Sequence, residues 1–247
     1  DNITTKVDGQ VHVDDLSSPD GLSVDIATPS LSRLAGVPIA GASTYSGTFT
    51  GEASDWSLKG QVDLRNTELA SYRALQLQGP LSLTGSDRGY TLTTSLAASG
   101  GSRAGVIGGL LGATPRLQAD LVYGTDGSVL LRKVDLDGAA IQLNGSGGRA
   151  LNGALRFSGS ADITDVSALS DRASGSFSGP IRATSTPSTG AWTFSFGGRA
   201  RNLSTGMAEL DRLLGPAPRL DLGGTLRNGQ LEVTQAQLDG EKGEATA

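Results

Sequence analysis

The side chains able to do chemistry are few and scattered. His12 is the single histidine of 247 residues and there is no cysteine, so poly-histidine and thiolate metal centres are excluded, as is a disulfide framework. Standing in Val11-His12-Val13, that histidine reads as a surface or edge residue of a strand. Carboxylates pair at Asp14/Asp15 and Asp135/Asp137, and glycoside hydrolysis needs only two. Asp137-Gly138, however, returns as Asp239-Gly240, and a turn residue recurs in this way far more readily than a catalytic one. Arg116 and Arg219 could each take a phosphate, but each follows a proline at a strand entrance, which favours a structural role. Gly145-Ser146-Gly147-Gly148 resembles the start of a dinucleotide loop, yet a turn and a strand follow it where a helix is required. The G-x-S-x-G, G-x-x-x-x-G-K-[ST] and H-E-x-x-H patterns are missing. The expectation is a chain with no catalytic site, no metal and no cofactor.

Composition narrows the class further. Glycine supplies 36 residues, apolar side chains 37% and aromatic ones 4%, so glycine stands where packing side chains would fill a thick closed core. A net charge of −5, with the basic residues scattered, leaves neither the basic stripe nor the stacking platform that nucleic acid requires. The longest apolar-rich run, Val106 to Ala113, is far short of the roughly 20 residues of a membrane span. The chain starts at Asp1-Asn2-Ile3 and ends at Glu244-Ala245-Thr246-Ala247 without a capping pattern. An internal segment of a longer protein is therefore expected.

Hydropathy alternates with a period of two. Leu75, Leu77, Leu81 and Leu83 alternate with Gln76, Gln78, Ser82 and Thr84, and Leu117, Ala119, Leu121 and Tyr123 with Gln118, Asp120 and Val122. The same pattern returns at Trp56/Leu58, Ile141/Leu143, Leu155/Phe157, Ala161/Ile163, Trp192/Phe194/Phe196 and Leu220/Leu222. Such runs are strands with one apolar and one polar face. Asp87-Arg88-Gly89, Thr125-Asp126-Gly127 and Asn228-Gly229 between them are hairpin turns. Four stretches break the alternation: Pro29–Leu34, Arg103–Leu111, Asp165–Arg172 and Thr205–Leu214. The last predicts a short helix capped by Thr205, with Met207, Leu210 and Leu214 on one face and Gly215-Pro216 as the stop.

Self-similarity organises the rest. Gly60, Asp63 and Leu64 return as Gly159, Asp162 and Ile163, 99 residues on, and Gly79-Pro80-Leu81 as Gly179-Pro180-Ile181, 100 on. Leu110-Leu111-Gly112-Ala113-Thr114-Pro115-Arg116-Leu117 returns as Leu213-Leu214-Gly215-Pro216-Ala217-Pro218-Arg219-Leu220, 103 on, and Leu136-Asp137-Gly138 as Leu238-Asp239-Gly240, 102 on. The chain is thus read as one continuous unit, residues 1–247, of about two and a half repeats of roughly 100 residues: a partial unit 1–40, then 41–140 and 141–240. The predicted fold is all-β, an elongated, curled antiparallel sheet forming a groove, with a few short helices and about 18 strands stacked at roughly 4.8 Å.

Together with Leu34-Ala35-Gly36-Val37-Pro38-Ile39-Ala40-Gly41, these repeated phrases resemble the repeat idiom of TamB-like proteins, relatives of the AsmA group, from about residue 30 onward. The resemblance implies a β-taco with an apolar interior in the periplasm, within a parent protein anchored in the inner membrane of a Gram-negative bacterium. It also implies an outer-membrane partner of the Omp85 class, TamA-like, and phospholipid acyl chains as cargo. The membrane helix and the C-terminal domain of that family are missing from this chain. The expected lipid groove is lined by Leu75, Leu77, Leu81, Leu83, Leu117, Leu121, Leu143, Phe157, Ile163, Phe177, Ile181, Phe194, Phe196, Leu220 and Leu222, without polar hooks. One alternative is a chaperone-like scaffold for outer-membrane protein or autotransporter assembly. Another is a β-solenoid surface or passenger protein, against which the roughly 100-residue repeat argues. A carbohydrate-active β-helix would need more exposed aromatics.

Overall fold

The structure, a computed structural model, describes residues 3–12, 14, 17–30, 39–69, 72–102, 104–149, 153–185, 191–227, 230–240 and 243–246. It is all-β. The strands are β1 (Thr4–Gly9), β2 (Ser18–Thr28), β3 (Ile39–Glu52), β4 (Asp55–Leu69), β5 (Tyr72–Ser86), β6 (Gly89–Ser99), β7 (Arg116–Gly124) and β8 (Val129–Asp137), followed by β9 (Ile141–Arg149), β10 (Leu155–Ile163), β11 (Ser174–Ser185), β12 (Trp192–Ser204), β13 (Arg219–Arg227), β14 (Gln230–Asp239) and β15 (Glu244–Thr246). All fifteen belong to one open sheet in chain order, each antiparallel to the next. Fifteen strands replace the expected eighteen among the described residues. At roughly 4.8 Å per step the stack runs about 67 Å.

The two long edges of this sheet differ. Along one edge the strands are joined by tight turns, as between Glu52 and Asp55 or Ser86 and Gly89. At the turn after β7, the Asp126 carboxylate accepts hydrogen bonds from the Ser128 hydroxyl (2.6 Å) and backbone N–H (2.9 Å). Both bonds hold its pKa below the usual aspartate value. Along the other edge lie α1 (Gly105–Leu111) between β6 and β7, a single 3₁₀ turn (Val166–Ala168) between β10 and β11, and α2 (Ala208–Leu214) between β12 and β13.

The repeated phrases are spatial neighbours, which explains why they recur together. The carbonyls of Leu110 and Leu111, at the end of α1, accept hydrogen bonds from the N–H groups of Ala140 (2.9 Å) and Ala139 (3.1 Å), just after β8. A side chain on Gly138 would put its Cβ 3.0 Å from the Leu111 Cα, so this turn must be glycine for the helix end to sit down. Gly240 receives the end of α2 in the same way, with Leu214 against it. The register then sets Arg116 opposite Asp137 and Arg219 opposite Asp239. Helix end, Pro-Arg-Leu strand and Leu-Asp-Gly turn therefore form one module built twice.

Packing is thickest in the second module. Val166, Phe177, Ala200, Leu203 and Leu220 form a buried cluster, and Leu214 and Pro218 are fully enclosed beneath α2. The helix itself begins later than expected. Its cap position falls on Met207, which makes no side-chain capping bond. Thr205 lies two residues upstream and instead donates its hydroxyl (2.7 Å) and backbone N–H (2.6 Å) to the Asp211 carboxylate, which also accepts from the Ser204 hydroxyl (2.8 Å). Met207, placed on the buried face by the heptad-like spacing, is 56% exposed because it precedes the helix. Of Asp165–Arg172 only the 3₁₀ turn is helical, with Asp165 accepting from the Ser167 N–H at 2.9 Å. Most of Pro29–Leu34 and the Asn228-Gly229 turn lie outside the described residues.

Candidate apolar groove

Because residues paired across an antiparallel ladder share a face, the register assigns every strand residue to a side. One row reads Phe49, Leu58, Leu83, Leu92, Leu121, Leu131, Gly147, Phe157, Ala183, Phe194, Gly224 and Val233 from β3 to β14. A second row reads Gly47, Gly60, Leu81, Thr94, Ala119, Val134, Gly145, Gly159, Ile181, Phe196, Leu222 and Ala236. These rows continue onto Val24 and Leu22 of β2. Both rows are apolar except at Thr94, whose hydroxyl donates to the Pro80 carbonyl at 2.9 Å, and no second layer of strands lies on them among the described residues. Most of their side chains are therefore half-buried.

Glycine pairs crease this face. At Gly47 opposite Gly60, a Cβ on Gly60 would stand 2.6 Å from the Gly47 Cα, and at Gly145 opposite Gly159 one on Gly159 would stand 2.8 Å from the Gly145 Cα. Backbones this close cannot both carry side chains, so the long strands bend toward the apolar side there. Rings fill the gaps that glycines leave: a Cβ on Gly224 would stand 2.7 Å from the Phe194 ring and one on Gly145 2.6 Å from the Phe157 ring, the covering of strand glycines by aromatics that stabilises curved sheets. At the tight-turn edge, Phe49, Trp56, Tyr90 and Tyr123 form a ladder with ring centroids 5.7, 6.0 and 6.4 Å apart.

Leu77, Leu81, Leu83, Leu117, Leu121, Leu143, Phe157, Ile163, Phe177, Ile181, Phe194, Phe196, Leu220 and Leu222 all fall on this face by register. Their alternating partners Gln76, Ser82 and Gln118 fall on the other. Leu75 is a correction. It is 66% exposed, whereas its neighbour Ala74 is 5% exposed, so the inside-outside alternation slips by one residue here. The equivalent position 100 residues on is Gly175, with φ +106° next to a register shift in β11, which marks the bend. Leu75 instead packs over Gly100, itself at φ +62°.

The face also holds one polar group that the alternation did not single out. Tyr45, 8% exposed, points its hydroxyl over the Gly47/Gly60 crease, and that hydroxyl has no hydrogen-bond partner among the described residues. Burial raises its pKa. The strand pattern Thr44-Tyr45-Ser46-Gly47 reveals which way Tyr45 points, but only the crease brings Gly60 beneath it.

The carboxylates considered for catalysis are engaged or isolated. Asp135 lies 2.6 Å from the Lys133 ammonium, Asp137 accepts from Gln142 (3.4 Å) and Asp239 from Gln237 (3.0 Å). His12 bridges to Ser17 in an exposed turn, and Asp15 lies outside the described residues. Arg219 is bonded to Asp221 at 2.9 Å. Among the described residues no three His, Asp or Glu side chains gather as a metal site would need, and no helix is long and apolar enough to cross a membrane. Compared with protein-family profiles, curated proteins and solved structures, the chain matches none.

Proposed function

We propose that this chain is a periplasmic segment of a TamB-like, AsmA-related bridge whose creased apolar face carries phospholipid acyl chains between the inner and outer membranes of a Gram-negative envelope. The parent protein is anchored in the inner membrane and meets an Omp85-class partner in the outer one, through parts beyond this segment. The observation that carries the reading is the largely apolar face that runs from β2 to β14, half-buried and uncovered among the described residues. Each methylene moved from water onto such a surface gains about 0.8 kcal/mol, so a long acyl chain has ample reason to lie there. Leucine, isoleucine and phenylalanine rows favour no single position along the sheet, which suits a conduit. The Tyr45 hydroxyl is the exception, and an ester carbonyl passing over it would supply the acceptor it lacks. On this reading the protein is not an enzyme.

Photoreactive amino acids placed at Leu83, Leu121 and Phe194 in cells test it. They capture phospholipid while Gln76, Ser82 and Gln118 do not. Equal labelling of the two sets sinks the groove. Capture of polypeptide alone favours a scaffold for outer-membrane proteins.

A further inference from the structure

A broad concavity lies on the polar side of the sheet, opposite the apolar groove. It is a basin of about 990 Å³ across β11 to β14, lined by Arg182, Arg199, Arg201 and Arg219, the amides of Gln235 and Gln237, and a single carboxylate, Asp221. Gly197 and Gly223 line its floor, with the Asp221 carboxylate reaching over Gly197 and Gln235 over Gly223. Arg199 stands directly opposite Arg219 across the ladder, an arrangement in which like charges repel. Asp221 neutralises Arg219, whereas Arg182, Arg199 and Arg201 have no carboxylate within ion-pairing distance among the described residues.

The first repeat shows that arginines at these three positions are not required by the fold. Its equivalent concavity, about 610 Å³ around Pro80, Ser82, Ser95 and Gln118, carries Lys59, Lys133 and Asp120 elsewhere on its lining and has Ser82 where the second has Arg182, 100 residues on. Opposite Arg116 stands Ala97, in the place of Arg199, and opposite Gln76 stands Ser99, in the place of Arg201. Three arginines have thus replaced three small neutral residues, all around one basin, in a chain of net charge −5.

We infer that this basin is a binding site for a phosphate-bearing ligand, held by the paired N–H donors of Arg182, Arg199 and Arg201. Guanidinium forks match phosphate oxygens two at a time, and a bound dianion converts the Arg199/Arg219 repulsion into shared attraction. The inference is independent of the acyl groove, since the basin faces the other way.

Calorimetry on the purified chain tests it with two sources of phosphate: inorganic tripolyphosphate, and phosphatidylcholine vesicles with and without phosphatidylglycerol. Binding of tripolyphosphate that weakens at least about tenfold in R199Q/R201Q, as loss of charge-assisted bonds dictates, and not in the charge-matched K6Q/R88Q, whose residues line neither concavity, supports a soluble ligand. Arginine-dependent binding of the phosphatidylglycerol vesicles alone supports a lipid headgroup. Binding of neither probe overturns the site, and so does equal weakening by both double variants. Circular dichroism checks folding, and R182Q, a single change on another strand, decides the matter if R199Q/R201Q does not fold.

Discussion

Opposite Arg116 on the polar face stands Ala97, and at the same place one repeat later Arg199 stands opposite Arg219. On the apolar face the two repeats differ differently. The pair Leu83/Leu92 becomes Ala183/Phe194, Leu81/Thr94 becomes Ile181/Phe196, and Leu77/Ala98 becomes Phe177/Ala200. Those exchanges alter shape and, Thr94 apart, leave the chemistry apolar. One side of the sheet thus keeps a largely apolar surface along its length, while the other carries three clustered arginines in one repeat only. A surface serving the same partner at every point must stay chemically uniform. A discrete site has to break the repeat.

Removing the packing beneath the helices separates the repeats most strongly. Leu214 is 1% exposed, whereas the equivalent Leu111 is only half-buried. Leu214→Ala is expected to cost about 2–5 kcal/mol, the range for a filled site that leaves a cavity, and Leu111→Ala clearly less. Denaturant titration of both variants measures the difference. If the two cost the same, the second module is not the better packed.

Moving the charge comes next. Ser82→Arg, Ala97→Arg and Ser99→Arg together copy the basin into the first repeat and should raise the tripolyphosphate stoichiometry from one site to two. An unchanged stoichiometry would mean that the floor of Gly197 and Gly223, and not the arginines alone, makes the site.

Smaller effects are expected at the helix seats. Gly240 meets Leu214 more closely than Gly138 meets Leu111, so Gly240→Ala should destabilise by about 1–3 kcal/mol through overpacking and Gly138→Ala by less. Thermal unfolding of the two variants ranks them.

Acid should act on one of the two helices alone. Hydrogen bonds from the Thr205 backbone and hydroxyl, and from Ser204, hold the Asp211 carboxyl below its usual value near 3.8. A folded-state pKa below the unfolded one gives stability that is complete above the unfolded value and lost as pH falls through the folded one. The equivalent residue of α1 is Gly108, which has no carboxylate. Amide exchange near pH 3 should therefore rise at Ser204–Asp211 relative to neutral pH, beyond the intrinsic rate change, and Asp211→Asn should remove the difference. Equal acid sensitivity at Gly105–Leu111 would place its cause outside this cluster.

The amino-acid sequence alone determined which side of the sheet most residues face, because a period of two leaves a strand with one buried side no other choice. It determined the chain-order meander through its turns, and it announced the repeated modules. Leu75 escaped it, since a local bend reverses the alternation without leaving a mark in Leu75-Gln76-Leu77. So did the start of α2, where Thr205 has the right chemistry for a cap but spends its hydrogen bonds on Asp211. That Arg116 stands opposite Asp137 and Arg219 opposite Asp239 was legible as two repeated phrases, not as a register. Above all, Arg182, Arg199 and Arg201 look scattered along the chain and meet only in the sheet. Their meeting depends on the registers of β11 with β12 and of β12 with β13, which are settled by the burial of the opposite, apolar face. The polar side inherits whatever neighbours that burial imposes.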